Sequence, residues 1–312
     1  MMENVKNLTP AELKAFEKAQ KAERKANRIP NLFDIIWREV RASKLAFGAL
    51  ILLVLLVVGV NIAGLFIDQQ QTMRVVLGRQ NLSPSQFGPM GTDSAGRDMF
   101  MFMVLGTRTS LNIAFLVTAG AAFIGHLVGL VLGFYGGIID LIGMRLMEVI
   151  IMVPTIMIII VVSTVLPNYD TPQFIMLLIA TTWIGTAFGF RARVLQESAK
   201  DYVLASKTLG TPNMLIMIKK VLPNVVSFIM VTLILSLAFS IGLETGLTVI
   251  GRGLPFNTPS IGAMIASAMD PSVMRLRPWQ WIPAAVLIVV VTMCIRAIGN
   301  AVSRAVNPKQ RR

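Results

Sequence analysis

Residues 197–224, ESAKDYVLASKTLGTPNMLIMIKKVLPN, form a polar island between two long apolar runs. Ala199–Leu209 holds neither Pro nor Gly and suits a helix. Gly210, free to take positive φ, stops it. Thr211 is placed to cap a second helix, and Pro212 fits the first turn, where a missing N–H costs nothing. That second helix is expected to run towards Val221, with Leu222-Pro223 opening the next apolar segment. The island thus reads as helix, Gly, helix between membrane spans. On its first helix Tyr202, Ala205, Ser206 and Leu209 share one face. Arg193, Lys200, Lys207, Lys219 and Lys220 make it basic. Such a pair at a membrane surface is a candidate docking element for a soluble partner. An amphipathic loop resting on lipid headgroups is the plainer account of the same pattern.

The rest of the chain is membrane-like. Of 312 residues, 54% are hydrophobic and only 14% charged, with a mean hydropathy of +0.69; these values belong to a membrane composition. The single cysteine, Cys294, lies in an apolar run, so no intrachain disulfide can form. A polar N-terminus of about forty residues does not have the layout of a cleavable signal peptide. Within it Thr9-Pro10-Ala11-Glu12 carries a capping-box pattern, and a helix is expected to about Asn27, ending before Pro30. Phe33, Ile36, Trp37 and Val40 then recur at helical spacing beside Arg38, Arg41 and Lys44, as in an interfacial helix feeding the first span.

Runs long enough to cross a bilayer, about 20 apolar residues each, place six spans near 45–67, 111–134, 141–166, 174–190, 223–248 and 281–303. The fourth is short, its end marked by Arg191 and Arg193. Pro154 and Pro283 fall inside spans, where neighbouring helices satisfy the backbone. Gly125, Gly129 and Gly133 form a small-residue seam for close helix packing. The fold class is therefore all-α: a cytoplasmic tail and interfacial helix over 1–44, a first span, an outer segment over 68–110, a five-helix domain over 111–303 with the loop 197–222 and an outer loop 249–280, and a basic tail over 304–312. With both termini inside, 22 of the 29 Lys and Arg face the cytoplasm and seven face out. The positive-inside rule supports both cytoplasmic termini and a cytoplasmic island. The net charge of +13 is then mostly a topology signal; no folded basic domain for nucleic acid is visible.

Both outer segments exceed a simple turn and are expected to fold back onto the outer face. The first contains Gly91-Thr92-Asp93-Ser94-Ala95-Gly96-Arg97-Asp98. Asp93 or Asp98 can cap the apolar helix expected from Met99 to Leu105, and Arg97 has acids on both sides. A capped turn with local ion pairs accounts for the string physically.

Several of these stretches resemble one family. The island resembles the coupling loop of ABC importer permeases: Leu204-Ala205-Ser206 stands where Glu-Ala-Ala is usual, while Gly210 and Val221-Leu222-Pro223 match. The string from Gly91 to Asp98 resembles the Gly-Thr-Asp-x-x-Gly-Arg-Asp signature of the dipeptide/oligopeptide/nickel permeases at every fixed position. Gly251-Arg252-Gly253, Pro255, Thr258-Pro259-Ser260 and Gly262 resemble a further family stretch, with Ile261 in place of Trp. Phe134-Tyr135-Gly136-Gly137 and Met144-Arg145-Leu146 with Glu148 resemble the link between its second and third spans. The resemblance covers roughly residues 90–310. It implies a type I ABC importer fold, a second homologous permease, two cytoplasmic ATPase subunits, an extracytoplasmic substrate-binding protein and an oligopeptide substrate. It also implies that Tyr202, Ala205, Ser206, Leu209, Gly210, Thr211 and Pro212 couple to the ATPases. No cofactor is expected on this chain; ATP and Mg are expected on the ATPase partners.

The chemistry-bearing residues agree. No Gly-x-x-x-x-Gly-Lys-Ser/Thr string holds nucleotide phosphates, and no Cys/His cluster has zinc spacing; an enzyme is not expected. The one histidine, His126, either lines a path or bonds a neighbouring helix. Arg145 and Glu148 are spaced for a local ion pair. Pore-lining candidates are Pro154, Thr155 and Ser163 in the third span and Thr232, Ser236 and Ser240 in the fifth, with Glu244 at the outer mouth. Hydroxyls in spans also bond the backbone a turn earlier. Alternatives stay open: a permease of the same family for nickel or another small solute, a scaffold protein, or an ATP-independent secondary transporter. The last would show inverted repeats and midplane charges.

Overall fold

The computed structural model describes residues 32–166, 170–255 and 257–306. The helix expected before Pro30 and most of the basic tail lie outside them. Amphipathic α1 (Leu32–Ala42) leads through Ser43, whose hydroxyl caps the next helix, into α2 (Lys44–Phe66). After the short α3 (Gln69–Thr72), a loop leads to α4 (Met99–Tyr135). The pair α5 (Gly137–Met152) and α6 (Thr155–Val165) precedes α7 (Thr171–Ser198). The island holds α8 (Asp201–Thr208) and α9 (Asn213–Ile216). A wide π turn, Met217–Val221, joins α9 to α10 (Leu222–Val249). Short α11 (Ile261–Ala266) and α12 (Pro271–Leu276) precede α13 (Ile282–Val306). Among the described residues there is no strand, only an isolated bridge between Thr92 and Asp98.

Five helical stretches are long and apolar enough to cross a membrane: α2, α4, α7, the continuous run from Asn213 to Val249, and α13. The bent pair α5–α6 makes a sixth if counted as one span. Its bend, 70°, falls at Val153-Pro154, where proline has no N–H for the ladder. The sequence suggested a tolerated kink; the break is sharper.

Three boundaries differ from the sequence reading. The second span was expected at 111–134, yet α4 starts at Met99, because Asp98 accepts from the amides of Phe100 (2.8 Å) and Met101 (3.2 Å). Nothing afterwards breaks the helix, so residues 99–110, assigned to the outer segment, are its first turns. The fourth span was expected to be short, yet α7 runs from a capping box at Asp170 and Gln173 to Ser198, with Arg191 and Arg193 inside it. The second island helix was expected to stop near Val221, but it continues into α10.

Helices α4 and α7 form the centre. A Cβ added at Gly125, Gly129 or Gly133 would come within 2.7, 2.7 and 2.6 Å of the carbonyl oxygens of Trp183, Ala187 and Arg191. Only glycine permits this backbone approach, so the expected seam is the α4–α7 interface. An ion pair between Asp140 and Arg191 ties α5 to α7. Outside the centre, α2 packs with α13 and α10 around Leu53, Leu56, Val60, Ile241 and Val291. α1 lies against α13 through Val40 and Val302, joined by Glu39 and Arg304 at 3.5 Å.

Candidate functional site

At one end of the bundle the island projects as a tethered hairpin. Helix α8 ends in a Schellman arrangement: the Gly210 amide donates to Lys207 O (3.0 Å) and the Thr211 amide to Ser206 O (3.2 Å). Gly210 takes φ +74° with open space where a Cβ would stand. Because Thr211 closes the first helix, it does not cap the second as the sequence suggested; Pro212 holds that place without a side-chain bond.

The face expected to dock is divided. Leu209 is 84% exposed and Met214 is 59% exposed; Ala205 is exposed and Ser206 half-buried. Ser206 bonds back to Tyr202 O at 2.7 Å. Tyr202 instead turns its hydroxyl inward. It donates to Glu197 Oε1 (2.7 Å) and accepts from Asn224 Nδ2 (3.2 Å). Burial, and after it the bond to Glu197, push the phenol up to about 12, so it remains a neutral donor. The Glu197 carboxylate is nearly inaccessible and also pairs with Lys200 at 2.8 Å. This pin ties the end of α7, the start of α8 and the start of α10. Sequence reading missed it, since it joins positions up to 27 apart with no periodic signal. Lys207 adds a second tie, its ammonium 4.9 Å from the Phe134 ring at the end of α4. Val203 is buried in a cluster with Leu130, Phe134, Phe190, Val194, Ile216, Met217 and Val221.

Of the pore-lining candidates, Ser236 and Ser240 come together. They line a cleft of about 300 Å³ between α4, α7 and α10, opposite Thr118, Thr182 and Thr186. Thr118 and Ser240 share a bond of 3.0 Å. Gly185 in its wall has nothing within 4 Å of an added Cβ. Nearer the island, His126 donates Nδ1–H to Ala122 O (2.7 Å), and its Nε2 lies 3.3 Å from the Thr232 hydroxyl on α10. It bonds a neighbouring helix, one of its two expected roles. A second cleft, about 570 Å³, opens at the island end around Arg193, Gln196, Ser227 and Ser303.

Pro154, Thr155 and Ser163 sit on the bent pair and do not reach the first cleft; the Ser163 hydroxyl bonds Ile160 O at 3.0 Å. Glu244, expected at an outer mouth, is 0% exposed. It accepts from Thr248 (3.2 Å) and Thr245 (3.3 Å), with Ser110 and Ser260 also in hydrogen-bonding reach. Those two serines hold α11: Ser110 Oγ accepts from the Ile261 amide (3.2 Å) and Ser260 Oγ from the Ala263 amide (3.0 Å). Glu244 is thus enclosed in the protein and does not face an opening in this chain.

At the far end the outer-segment string is a compact knot. Asp93 Oδ1 accepts from the amides of Ala95 and Arg97 (both 2.9 Å), and Oδ2 pairs with Arg97 Nε at 2.7 Å. Thr92 Oγ1 accepts from the Leu82 amide (2.8 Å), while Thr92 O accepts from Gln280 Nε2 (3.0 Å). Gly91 and Gly96 take φ +66° and +78° against the backbone of Leu82 and Val76. The two segments therefore pack on each other, a contact beyond the fold-back that their length suggested. Arg145 and Glu148 form the expected local pair at 2.8 Å. Among the described residues no group of His, Cys, Asp or Glu is arranged to hold a metal ion.

An all-helical bundle with five or six candidate apolar spans is in keeping with the fold that the family resemblance implies. Residues 125–312 match the family described as binding-protein-dependent transport system inner membrane component. The chain belongs to that family. It is 39% identical over 289 residues to the oligopeptide transport system permease protein OppC of Lactococcus lactis subsp. cremoris, covering 92% of this chain and 98% of the relative. It is 33% identical to the dipeptide transport system permease protein DppC of Bacillus subtilis, over 88% of this chain and 85% of that one. The OppC of Bacillus subtilis is 30% identical, over 95% and 97%. The permease is thus a multi-pass protein of the cell membrane, of the dipeptide and oligopeptide ABC-importer type.

Proposed function

We propose that this permease forms one half of the translocation path of an ATP-driven oligopeptide importer. The observation that carries the reading is the near end-to-end likeness to an oligopeptide permease, 39% identity over 98% of that protein. A second homologous permease supplies the other half of the path. An extracytoplasmic binding protein delivers the peptide, and two cytoplasmic ATPases, which carry ATP and Mg, drive the cycle. Both termini and the island face the cytoplasm, in keeping with the excess of Lys and Arg on that side.

Coupling runs through residues 197–222. The exposed Leu209 and Met214 meet the ATPase, and Val203 and Lys207 pass its motion to α4, α7 and α10 through the buried cluster and the Phe134 ring. The cleft with Ser236, Ser240, Thr118, Thr182 and Thr186 offers uncharged hydroxyls to a passing peptide. Such groups can exchange bonds with peptide amides and carbonyls without holding a charge in the membrane. The test is uptake of a labelled oligopeptide into host vesicles with the gene deleted and then restored. Restored uptake that requires ATP, and that excess nickel leaves unchanged, is the expected result. ATP-independent uptake favours a secondary transporter, and competition by nickel favours the metal route.

A further inference from the structure

We propose that the Met217–Val221 π turn is the hinge of the coupling island, and that Tyr202 and Asn224 form the latch that holds it in its wide register. This rests on the coupling role assigned to the island above.

A π turn carries one residue more than the α-helix needs, and such turns concentrate at functional sites. Here the Leu222 amide reaches back to Met217 O. Pro223 follows, so Lys219 O has no α-helical N–H to accept. The next carbonyl is claimed by side chains: Asn224 Nδ2 donates to Lys220 O at 2.6 Å, and the Tyr202 hydroxyl lies 3.5 Å from it. Asn224 Nδ2 also donates to Tyr202 Oη, and Tyr202 is anchored on buried Glu197. The wide turn is therefore held from outside its own helix, by a side chain of the island it positions.

Release of that hold lets the extra residue leave towards the loop at Gly210. The segment before the turn then rotates by about 100° and moves by about 1.5 Å along the axis of α10. Two features make the second register accessible. Residues 214–218 read Met-Leu-Ile-Met-Ile. Ile216 and Met217 are buried now, while Ile218 is 47% exposed. After a one-residue shift their buried places pass to Met217 and Ile218, so an apolar side chain fills each place in both registers. Gly210, at φ +74° with open space around it, takes up the slack. Tyr202 and Asn224 are thus positioning residues for coupling. The device gives the island two discrete arrangements, as a switch biased by nucleotide state requires.

The test places spin labels at Asn213→Cys, before the hinge, and Asn300→Cys, on α13, in a Cys294→Ser background of the complete importer with cysteine-free partners. The distance is read without nucleotide and in an ATP-trapped state, alongside peptide uptake per ATP hydrolysed. A shift of several ångströms on trapping is expected. Tyr202→Phe and Asn224→Ala should each move the nucleotide-free distance towards the trapped one, with raised ATPase activity in the absence of peptide. Deletion of Ile218, which removes the extra residue, should give one distance in both states and about tenfold less uptake per ATP. An unchanged distance in a labelled complex that imports normally overturns the hinge. So does a Tyr202→Phe complex whose distance and peptide-free ATPase match the parent, which guards against a deletion variant that fails to assemble. A wild-type chain that binds no ATPase overturns the importer reading itself, and the hinge with it.

Discussion

The knot at Gly91–Asp98 and the island at Glu197–Asn224 are both polar motifs at the ends of an apolar bundle, yet they treat their side chains in opposite ways. In the knot, Thr92, Asp93, Arg97 and Asp98 satisfy one another and the local backbone. In the island, Glu197, Tyr202 and Asn224 bond one another above the buried Val203, Ile216, Met217 and Val221, while Leu209 and Met214 face out. A motif that closes on itself is architecture; the exposed apolar tip of the island is, under the proposed function, the surface offered to the ATPase.

Four substitutions probe that contrast. Gly96→Val should have the largest effect: a branched side chain at φ +78° would strike the Val76 carbonyl, and about tenfold less folded protein should reach the membrane by fluorescence-detected size exclusion. If instead it folds normally, the knot is not architectural. Gly210→Val also forces a branched residue into a left-handed cap, at about 1–2 kcal/mol, but in open space. Protein level should hold while peptide uptake per ATP drops by roughly tenfold. Leu209→Asp should leave the melting temperature of the purified permease unchanged, because the side chain is 84% exposed. Its peptide-stimulated ATPase should fall several-fold; a lowered melting temperature would place Leu209 in the fold and not on a docking face. Smallest is Arg145→Gln, which breaks a pair whose arginine side chain is 74% exposed. A change within about 1 kcal/mol in stability and no change in uptake is expected.

Local signals were readable in the chain itself. Gly210 as helix stop, the glycine seam and Asp98 as a cap each depend on a few adjacent residues or on helical spacing, and each appears where the sequence placed it. What was misread depends on distant partners. Glu244 looked like a carboxylate at a mouth because its company, Ser110 and Ser260, comes from segments far away in sequence. The bond between Tyr202 and Asn224 went unread because nothing local announces it. The continuity of α9 into α10 was hidden by Pro223, normally a helix boundary, which the π turn accommodates. The length of α4 was lost because span-counting stops at the membrane, while the helix continues to its cap.

Docking of ATPases on the island tip is tested by purifying the tagged permease from its host, comparing wild type with a Leu209→Asp, Met214→Asp double variant. Tyr202 is left intact, since its hydroxyl belongs to the pin. Wild type is expected to bring down two ATPases and a second permease, and the variant to keep the second permease but lose the ATPases. A variant that retains the ATPases, or a wild type that purifies alone and moves peptide without ATP, would contradict that docking.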